Sequence, residues 1–217
     1  MKKSVLIYSG GLDSTVLLCS LLDEGRQLKA LGFDYGQRHK RELAAGASIA
    51  ADLGVDYRVV ELPLGSLLVS ALTRLELDVP EGHYEDENMK RTVVPNRNMI
   101  MLAIAIGYCS SIKFDSVCFA VHTGDHAIYP DCRPEFVAAM KKVARLCDWR
   151  SIEVEAPLLS LSKADIVVLG SRISAPFAQT WTCYLGLDKH CGKCGSCIER
   201  REAFMLAGVE DPTQYIA

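Results

Sequence analysis

The chain has 217 residues, 49% of them hydrophobic, and 24 lysines and arginines against 27 aspartates and glutamates for a net charge of −3. That length suits one domain with an appendage and a sizeable core, and the mild negative charge, without a basic run, argues against a nucleic-acid surface and for small substrates. No stretch reaches the ~20 apolar residues of a membrane span, and Met1-Lys2-Lys3 leads into a short strand instead of a leader. Nine cysteines without an export signal therefore imply a reducing, cytoplasmic setting in which grouped thiols mean metal or catalysis before disulfides.

Strands are expected at 4–8, 28–33, 57–62, 115–121 and 151–155, alternating with helices at 14–23, 40–53, 98–110, 134–147 and 163–171. This β-α alternation predicts an α/β fold: a doubly wound, mainly parallel five-stranded sheet covered on both faces over residues 1–175, followed by a small subdomain at 176–217. Ligands in such folds bind beyond the carboxyl ends of the strands, where strand order reverses.

Behind the first strand, Tyr8 is followed by Ser9-Gly10-Gly11-Leu12-Asp13-Ser14-Thr15, a tight glycine turn opening a helix. Glycines allow close backbone approach, and the free N–H groups and dipole of the first helical turn favour an anion. A phosphate cradle is one reading, and an ordinary βα turn capped by Ser or Asp the other. The string lacks the lysine of a Walker loop, so positive charge for phosphates must come from elsewhere.

After the second strand, Phe33-Asp34-Tyr35-Gly36-Gln37-Arg38-His39 offers aromatic and polar groups that can stack on and hydrogen-bond an adenine, or merely plug the core edge. Residues 63–95 leave the α/β rhythm, and a connection that long predicts a mobile flap near the nucleotide, with the acidic run 81–88 as a solvated face. In Pro95-Asn96-Arg97-Asn98, Pro95 disfavours helix before it and Asn96 is a sound N-cap. Arg97 opposes the helix dipole by about 0.3–1 kcal/mol, which makes sense beside a bound anion; an arginine reaching to solvent is the alternative.

The fourth strand runs into a loop bearing His122, Asp125, His126, Tyr129, Asp131 and Arg133. A ring with N–H and NH₂ donors on one edge, as in guanine, suits Asp131 or Asp125. Tyr129 can stack on that ring, and Arg133 or Arg97 can take a substrate carboxylate in bidentate fashion; His126 belongs to the same surface. A polar loop capped by Asp131 is the other reading, and His122 with His126 also raises a metal. Ser162 and Asp165 form a capping-box pair, and Lys163 between them is either an exposed lysine or the charge missing from the glycine turn.

Cys183, Cys191, Cys194 and Cys197 stand at C-x₇-C-x₂-C-x₂-C. Four thiolates at ~2.3 Å suit a tetrahedral, structural Zn²⁺ with no open position, while spacing alone leaves an iron–sulfur cluster open. Cysteines 19, 109, 118, 132 and 147 lie in apolar or mixed segments, and Cys132 falls in the pocket loop.

S-G-G-x-D-S resembles the PP-loop of the ATP pyrophosphatases. With D-Y-G-Q-R-H, V-P-x-R-N, Y-P-D-C-R, S-K-A and T-C-Y…C-G-x-C-x-x-C in the same order over nearly the whole chain, the sequence resembles the QueC-like 7-cyano-7-deazaguanine synthase family. Two departures stand out: Asn96 where the common form has glycine, and Thr-Gly-Asp-His-Ala-Ile before Tyr129 where many members carry E-T-D-x-S-G. The resemblance implies a PP-loop fold, ATP with Mg²⁺, structural Zn²⁺ on the four cysteines, and a homodimer. It implies a ligase that adenylates 7-carboxy-7-deazaguanine and converts it with ammonia to the amide and then the nitrile preQ₀.

On that basis Tyr8, Ser9, Gly10, Gly11, Leu12, Asp13, Ser14, Thr15, Phe33, Tyr35, Gln37 and Lys163 would bind ATP. Arg97, Asp125, His126, Tyr129, Asp131 and Arg133 would bind the acid, with Asp13, Lys163 and Arg97 catalytic. The alternatives are transfer of the activated acid to another amine such as a protein N-terminus, a PP-loop enzyme acting on tRNA, and a zinc-dependent interaction module.

Overall fold

A computed structural model describes residues 1–84 and 87–216. Glu85 and Asp86 of the acidic run, and Ala217 at the end of the expected subdomain, lie outside the described residues. Five strands, β1 (Lys3–Ile7), β2 (Gln27–Asp34), β3 (Asp56–Glu61), β4 (Ser116–Cys118) and β5 (Glu153–Glu155), form one sheet in the order β3-β2-β1-β4-β5. Every pairing is parallel. The helices are α1 (Leu12–Asp23), α2 (Arg41–Asp52), α3 (Arg97–Ser111), α4 (Pro134–Ala144), α5 (Lys163–Arg172) and α6 (Gly195–Ala207). Strand order reverses between β1 and β4, which sets the binding crevice at their carboxyl ends. Among the described residues no helix is long and apolar enough to cross a membrane.

Alternation along the strands builds the two layers of core. Val5 and Leu31 pack on α3 and α4 with Leu102, Ala105 and Val137, whereas Leu6 and Ala30 face α1, α2 and α5 with Leu17, Ile49 and Ile166. The fourth strand is shorter than its apolar run predicts: after a last bond from the Phe119 N–H to the Glu155 carbonyl, the chain leaves the sheet, and Phe119 and Val121 wall a cavity.

The described residues of the segment 63–95 pack as a wall, not as a flap held off the body. Ala71, Met89 and Thr92 are buried, and the Arg38 guanidinium donates to the carbonyls of Ala71, Arg74, Leu75 and Leu77. Asn96 does not cap α3 with its side chain; it takes a left-handed φ of 57°, a conformation that asparagine tolerates and glycine prefers. The cap comes from Asp131, whose Oδ2 accepts the Asn98 N–H at 2.9 Å.

The carboxy-terminal segment shares the main core: Ala203 and Phe204 of α6 join the α1/α5 layer. Arg200 beside them is fully buried. It donates to Thr180 Oγ1 (2.8 Å), Thr182 Oγ1 (3.1 Å), the Phe177 carbonyl (3.1 Å) and Asp211 (3.2 Å), and so ties the stretch 177–182 to α6. Arg200→Met strands these acceptors and leaves the half-buried Asp211 carboxylate without its cation. Chemical denaturation should show a loss of about 3–5 kcal/mol, partly recovered when Asp211→Leu is added.

Candidate active site

The turn at residues 9–11 leaves α1 with Gly11 at its N-cap and no capping side chain, so its first-turn N–H groups face outward for an anion. Gly10 has φ +85°, and a Cβ there would stand 2.2 Å from the Glu42 carbonyl and 2.4 Å from the Gly46 nitrogen. Only glycine lets α2 butt against the turn this closely. Ser9 and Ser14 hydroxyls meet at 3.1 Å across the turn, and the buried Tyr8 hydroxyl supports it from below through Thr15 at 3.2 Å.

Lys163, in the first turn of α5, reaches into this region. Its Nζ lies 2.6 Å from Asp13 Oδ2, 3.2 Å from Glu199 Oε2 and 3.4 Å from His122 Nε2. Burial works against the charged lysine, but Asp13, Glu199 and Asp125 outweigh it and hold Lys163 above its ordinary value. Burial works against Asp13 too, yet Lys163 and His122 hold it below the usual carboxylate range. Burial dominates at Glu199 and pushes it up. His122 is only 1% exposed. Its Nδ1 accepts the Gly124 N–H, which assigns the ring proton to Nε2, facing carboxylate oxygens of Asp13, Asp125 and Glu199 at 3.6–3.9 Å. Asp13 Oδ1 is buried with no hydrogen-bond partner.

Across the same cavity Arg97 opens α3, with Nη1 donating to the Tyr35 hydroxyl at 3.3 Å and the guanidinium 5.7 Å from that ring. Among the described residues it forms no salt bridge, so its charge is available to an anion. Tyrosines from three segments make the far wall. The Tyr129 hydroxyl meets Thr92 Oγ1 at 2.7 Å and the Tyr184 hydroxyl at 3.4 Å; Tyr84 donates to Asp125 Oδ1 at 3.0 Å.

The cavity thus gathers Tyr8, Ser9, Gly11, Leu12, Asp13, Ser14, Phe33, Tyr35, Arg97, Asp125, Tyr129 and Lys163. Gly10 and Thr15 back the turn without lining the cavity. Four expected contacts are not in its wall, each for a local reason. Gln37 spends its amide within its own loop, on the Tyr35 N–H and the Phe33 carbonyl. Asp131 is the cap of α3. Arg133 is exposed and donates to the His126 carbonyl. The His126 Nε2 is buried away from the cavity with no hydrogen-bond partner.

Sequence reading missed Glu42, Glu199, Tyr84, Trp181 and Tyr184, and gave His122 no place beyond a metal. The cavity borrows Tyr84 from the long connection, and Trp181 and Tyr184 from the cysteine region, while the Trp181 N–H donates to the Gly10 carbonyl at 3.1 Å. Tyr184 sits inside the T-C-Y motif, which was the available signal. Glu42 and Glu199 reach the site through tertiary packing.

The sulfurs of Cys183, Cys191, Cys194 and Cys197 all lie within 4.8 Å of one another and are buried. Cys191 and Cys197 are 3.9 Å apart, close to the roughly 3.8 Å edge of a tetrahedron with Zn–S bonds of ~2.3 Å. Cys183 Sγ accepts the N–H groups of Leu185 and Cys191, and Cys191 Sγ those of Lys193 and Cys194, as thiolates do. The set can hold a metal such as zinc.

The family model described as queuosine biosynthesis protein QueC matches residues 3–208. A 7-cyano-7-deazaguanine synthase from Methanoregula boonei is 50% identical over 214 residues, 98% of this chain and 99% of that protein. One from Marinomonas sp. is 46% identical over 217 residues, 100% of this chain and 99% of that protein. Among solved structures, NMN synthetase from Francisella tularensis shares the fold at TM-score 0.50 and 15% identity, over 95% of this chain and 77% of that one.

The charge cluster gives a pH test. A carboxylate held below its ordinary value contributes stability that is full above the usual carboxylate range and lost as pH falls through its folded value. Lys163→Met removes the partner that holds Asp13 down. At pH 7 it should cost about 3–5 kcal/mol, and the deficit should shrink toward pH 4 as the stranded acids protonate; denaturant titrations at both pH values check this.

Proposed function

Because this chain belongs to the QueC family, we propose that it is an ATP-dependent ligase converting 7-carboxy-7-deazaguanine, with ammonia, to the amide and then to the nitrile 7-cyano-7-deazaguanine, preQ₀. The observation that carries this reading is the unpaired Arg97 guanidinium, facing the uncapped glycine turn and Lys163 across one cavity. One end suits a carboxylate, the other a triphosphate. The identities of 46–50% to synthases over essentially whole chains favour the nitrile over a tRNA product or an amide to another amine.

The chemistry follows from leaving groups. A carboxylate would have to expel oxide, so one of its oxygens attacks the α-phosphorus of ATP and pyrophosphate departs. The α1 N–H groups and Lys163 stabilise charge on the phosphates, while Arg97 aligns the acid through paired N–H donors. Ammonia then attacks the acyl carbon, the C–O bond to AMP breaks, and the amide remains. A second ATP adenylates the amide oxygen, and loss of AMP and the remaining N–H protons leaves the nitrile. The orphaned Asp13 Oδ1 fits a hydrated Mg²⁺, which supplies charge neutralisation on the polyphosphate. Tyr129 and Tyr84, with ring centroids 5.9 Å apart, offer faces to the deazapurine. The four cysteines take a structural Zn²⁺ in a reducing cytoplasm, and the exposed Val143, Leu146 and Trp149 offer an apolar face for a homodimer.

Mass spectrometry after incubation with 7-carboxy-7-deazaguanine, Mg-ATP and ammonium should show the amide and then the nitrile; release of neither overturns the reading. Arg97→Met should lower acid-dependent ATP–pyrophosphate exchange about 10²–10³-fold with zinc content unchanged. Metal analysis should find one zinc per chain, and Cys194→Ser should lose the metal together with solubility.

A further inference from the structure

The main cavity has a side chamber. This smaller space, of about 50 Å³, shares the walls Tyr35, Glu42, Leu72, Arg97 and Tyr184 with the main cavity and runs back toward Gln37, Arg38 and His39. It has room for water-sized species. Glu42, in the first turn of α2, stands at the junction. Its backbone is packed against the glycine turn, since its own carbonyl is the group that a Cβ on Gly10 would strike. Among the described residues its carboxylate makes no hydrogen bond or salt bridge, although Arg97 lines the same two spaces.

We propose that the chamber is the ammonium site of the ligase, and that the Glu42 carboxylate receives NH₄⁺ there and takes one proton from it, releasing ammonia beside the acyl adenylate. This rests on the function proposed above. If Arg97 holds the substrate acid, it cannot also neutralise Glu42, and an anionic Glu42 would repel that acid. A small cation on Glu42 removes the conflict. Ammonium is such a cation, and it has no lone pair until a base removes a proton. The groups facing Glu42 are the Arg97 guanidinium from α3, the phenol of Tyr35 just after β2 and that of Tyr57 on β3; Arg38 and His39 lie along the chamber. Burial pushes Glu42 up to about 7 and Arg97 only partly offsets it, the range that suits a base exchanging protons near neutrality.

The step balances. Glu42-COO⁻ and NH₄⁺ give Glu42-COOH and NH₃. The nitrogen lone pair forms the C–N bond, the acyl C–O bond breaks with its electrons leaving on AMP, and the protonated amide nitrogen loses one proton to the departing phosphate or to water. Glu42 returns its proton to solvent.

Two partial reactions test this in the zinc-loaded full chain. ATP–pyrophosphate exchange with 7-carboxy-7-deazaguanine and no amine reads adenylation, and amide formation with ammonium chloride reads the second step. Glu42→Gln should keep exchange to within about threefold, raise the KM for ammonium at least about tenfold, and lower amide formation near neutral pH roughly 10²-fold. Raising the pH, which supplies free ammonia, and substituting hydroxylamine, already neutral at pH 7, should both restore turnover. An unchanged ammonium KM, or an equal loss with ammonium and hydroxylamine, overturns the proposal. If Glu42→Gln loses exchange as well, Glu42→Asp decides: exchange kept with a raised ammonium KM supports the site, and equal loss of both steps overturns it. Absence of exchange in the wild type would overturn the parent function, and this site with it.

Discussion

The Lys163 ammonium stands within 3.4 Å of groups carried by α1, α6 and the loop after β4, so one buried cation fixes how the glycine turn, the cysteine region and the pocket loop meet. An opposite pair 4 Å apart gains about 4 kcal/mol at an effective dielectric of 20, while each buried ion loses several kcal/mol of hydration. The cluster therefore adds little net stability. Its value is positional: it holds a lysine, which the turn itself lacks, against the turn. The cation is also already shared. On the proposed function, a triphosphate on the turn would compete with Glu199 and Asp13 for the same ammonium, and Glu199, which burial pushes toward its neutral form, is the carboxylate best suited to give way.

The cysteine region belongs to the site as much as to the fold. Between the first two of its four cysteines it carries Tyr184, which meets Tyr129, and just before them Trp181, which donates to Gly10. Glu199 lies two residues after Cys197 on α6, and Arg200 beside it ties Phe177, Thr180 and Thr182 to α6. A bound metal would hold both ends of this stretch at once. Its effect on chemistry would then run through the placement of Trp181, Tyr184 and Glu199, with no ligand position left open to substrate.

Much of this was legible before any coordinates, because the relevant signals are local. Strand and helix periods, the glycine turn, the misplaced cations Arg97 and Lys163, and the cysteine spacing each declare themselves within a few residues. What was not legible depends on distant packing. Glu42 and Glu199 look like ordinary helix acids, and only Gly10 against α2 and α6 against α5 turn them inward. Asp131 and Asn96 failed in a linked way. Asparagine commonly caps a helix, but at residue 96 the chain turns left-handed and the cap of α3 arrives at Asn98 from Asp131, 33 residues downstream. The same φ of 57° gives a physical reason for glycine in the family's common form at that position.

The second departure from the family pattern, Thr123 to Ile128, has a similar explanation. The chain makes a single tight turn closed on itself: Asp125 Oδ2 accepts the His122 N–H at 3.0 Å and His122 Nδ1 accepts the Gly124 N–H at 3.1 Å. The other Asp125 oxygen accepts the Tyr84 hydroxyl. Each oxygen thus accepts one hydrogen bond within the protein, so Asp125 positions the His122 backbone and Tyr84 while keeping lone pairs toward the cavity that it lines. The turn therefore conserves what the cavity needs from this loop, an oriented imidazole beside Lys163 and an oriented phenol opposite Tyr129, whatever residues fill its surface. On the function proposed above, the two ends that would act on the reacting groups, the turn with Lys163 and the pair of Arg97 and Glu42, lie outside the altered stretch.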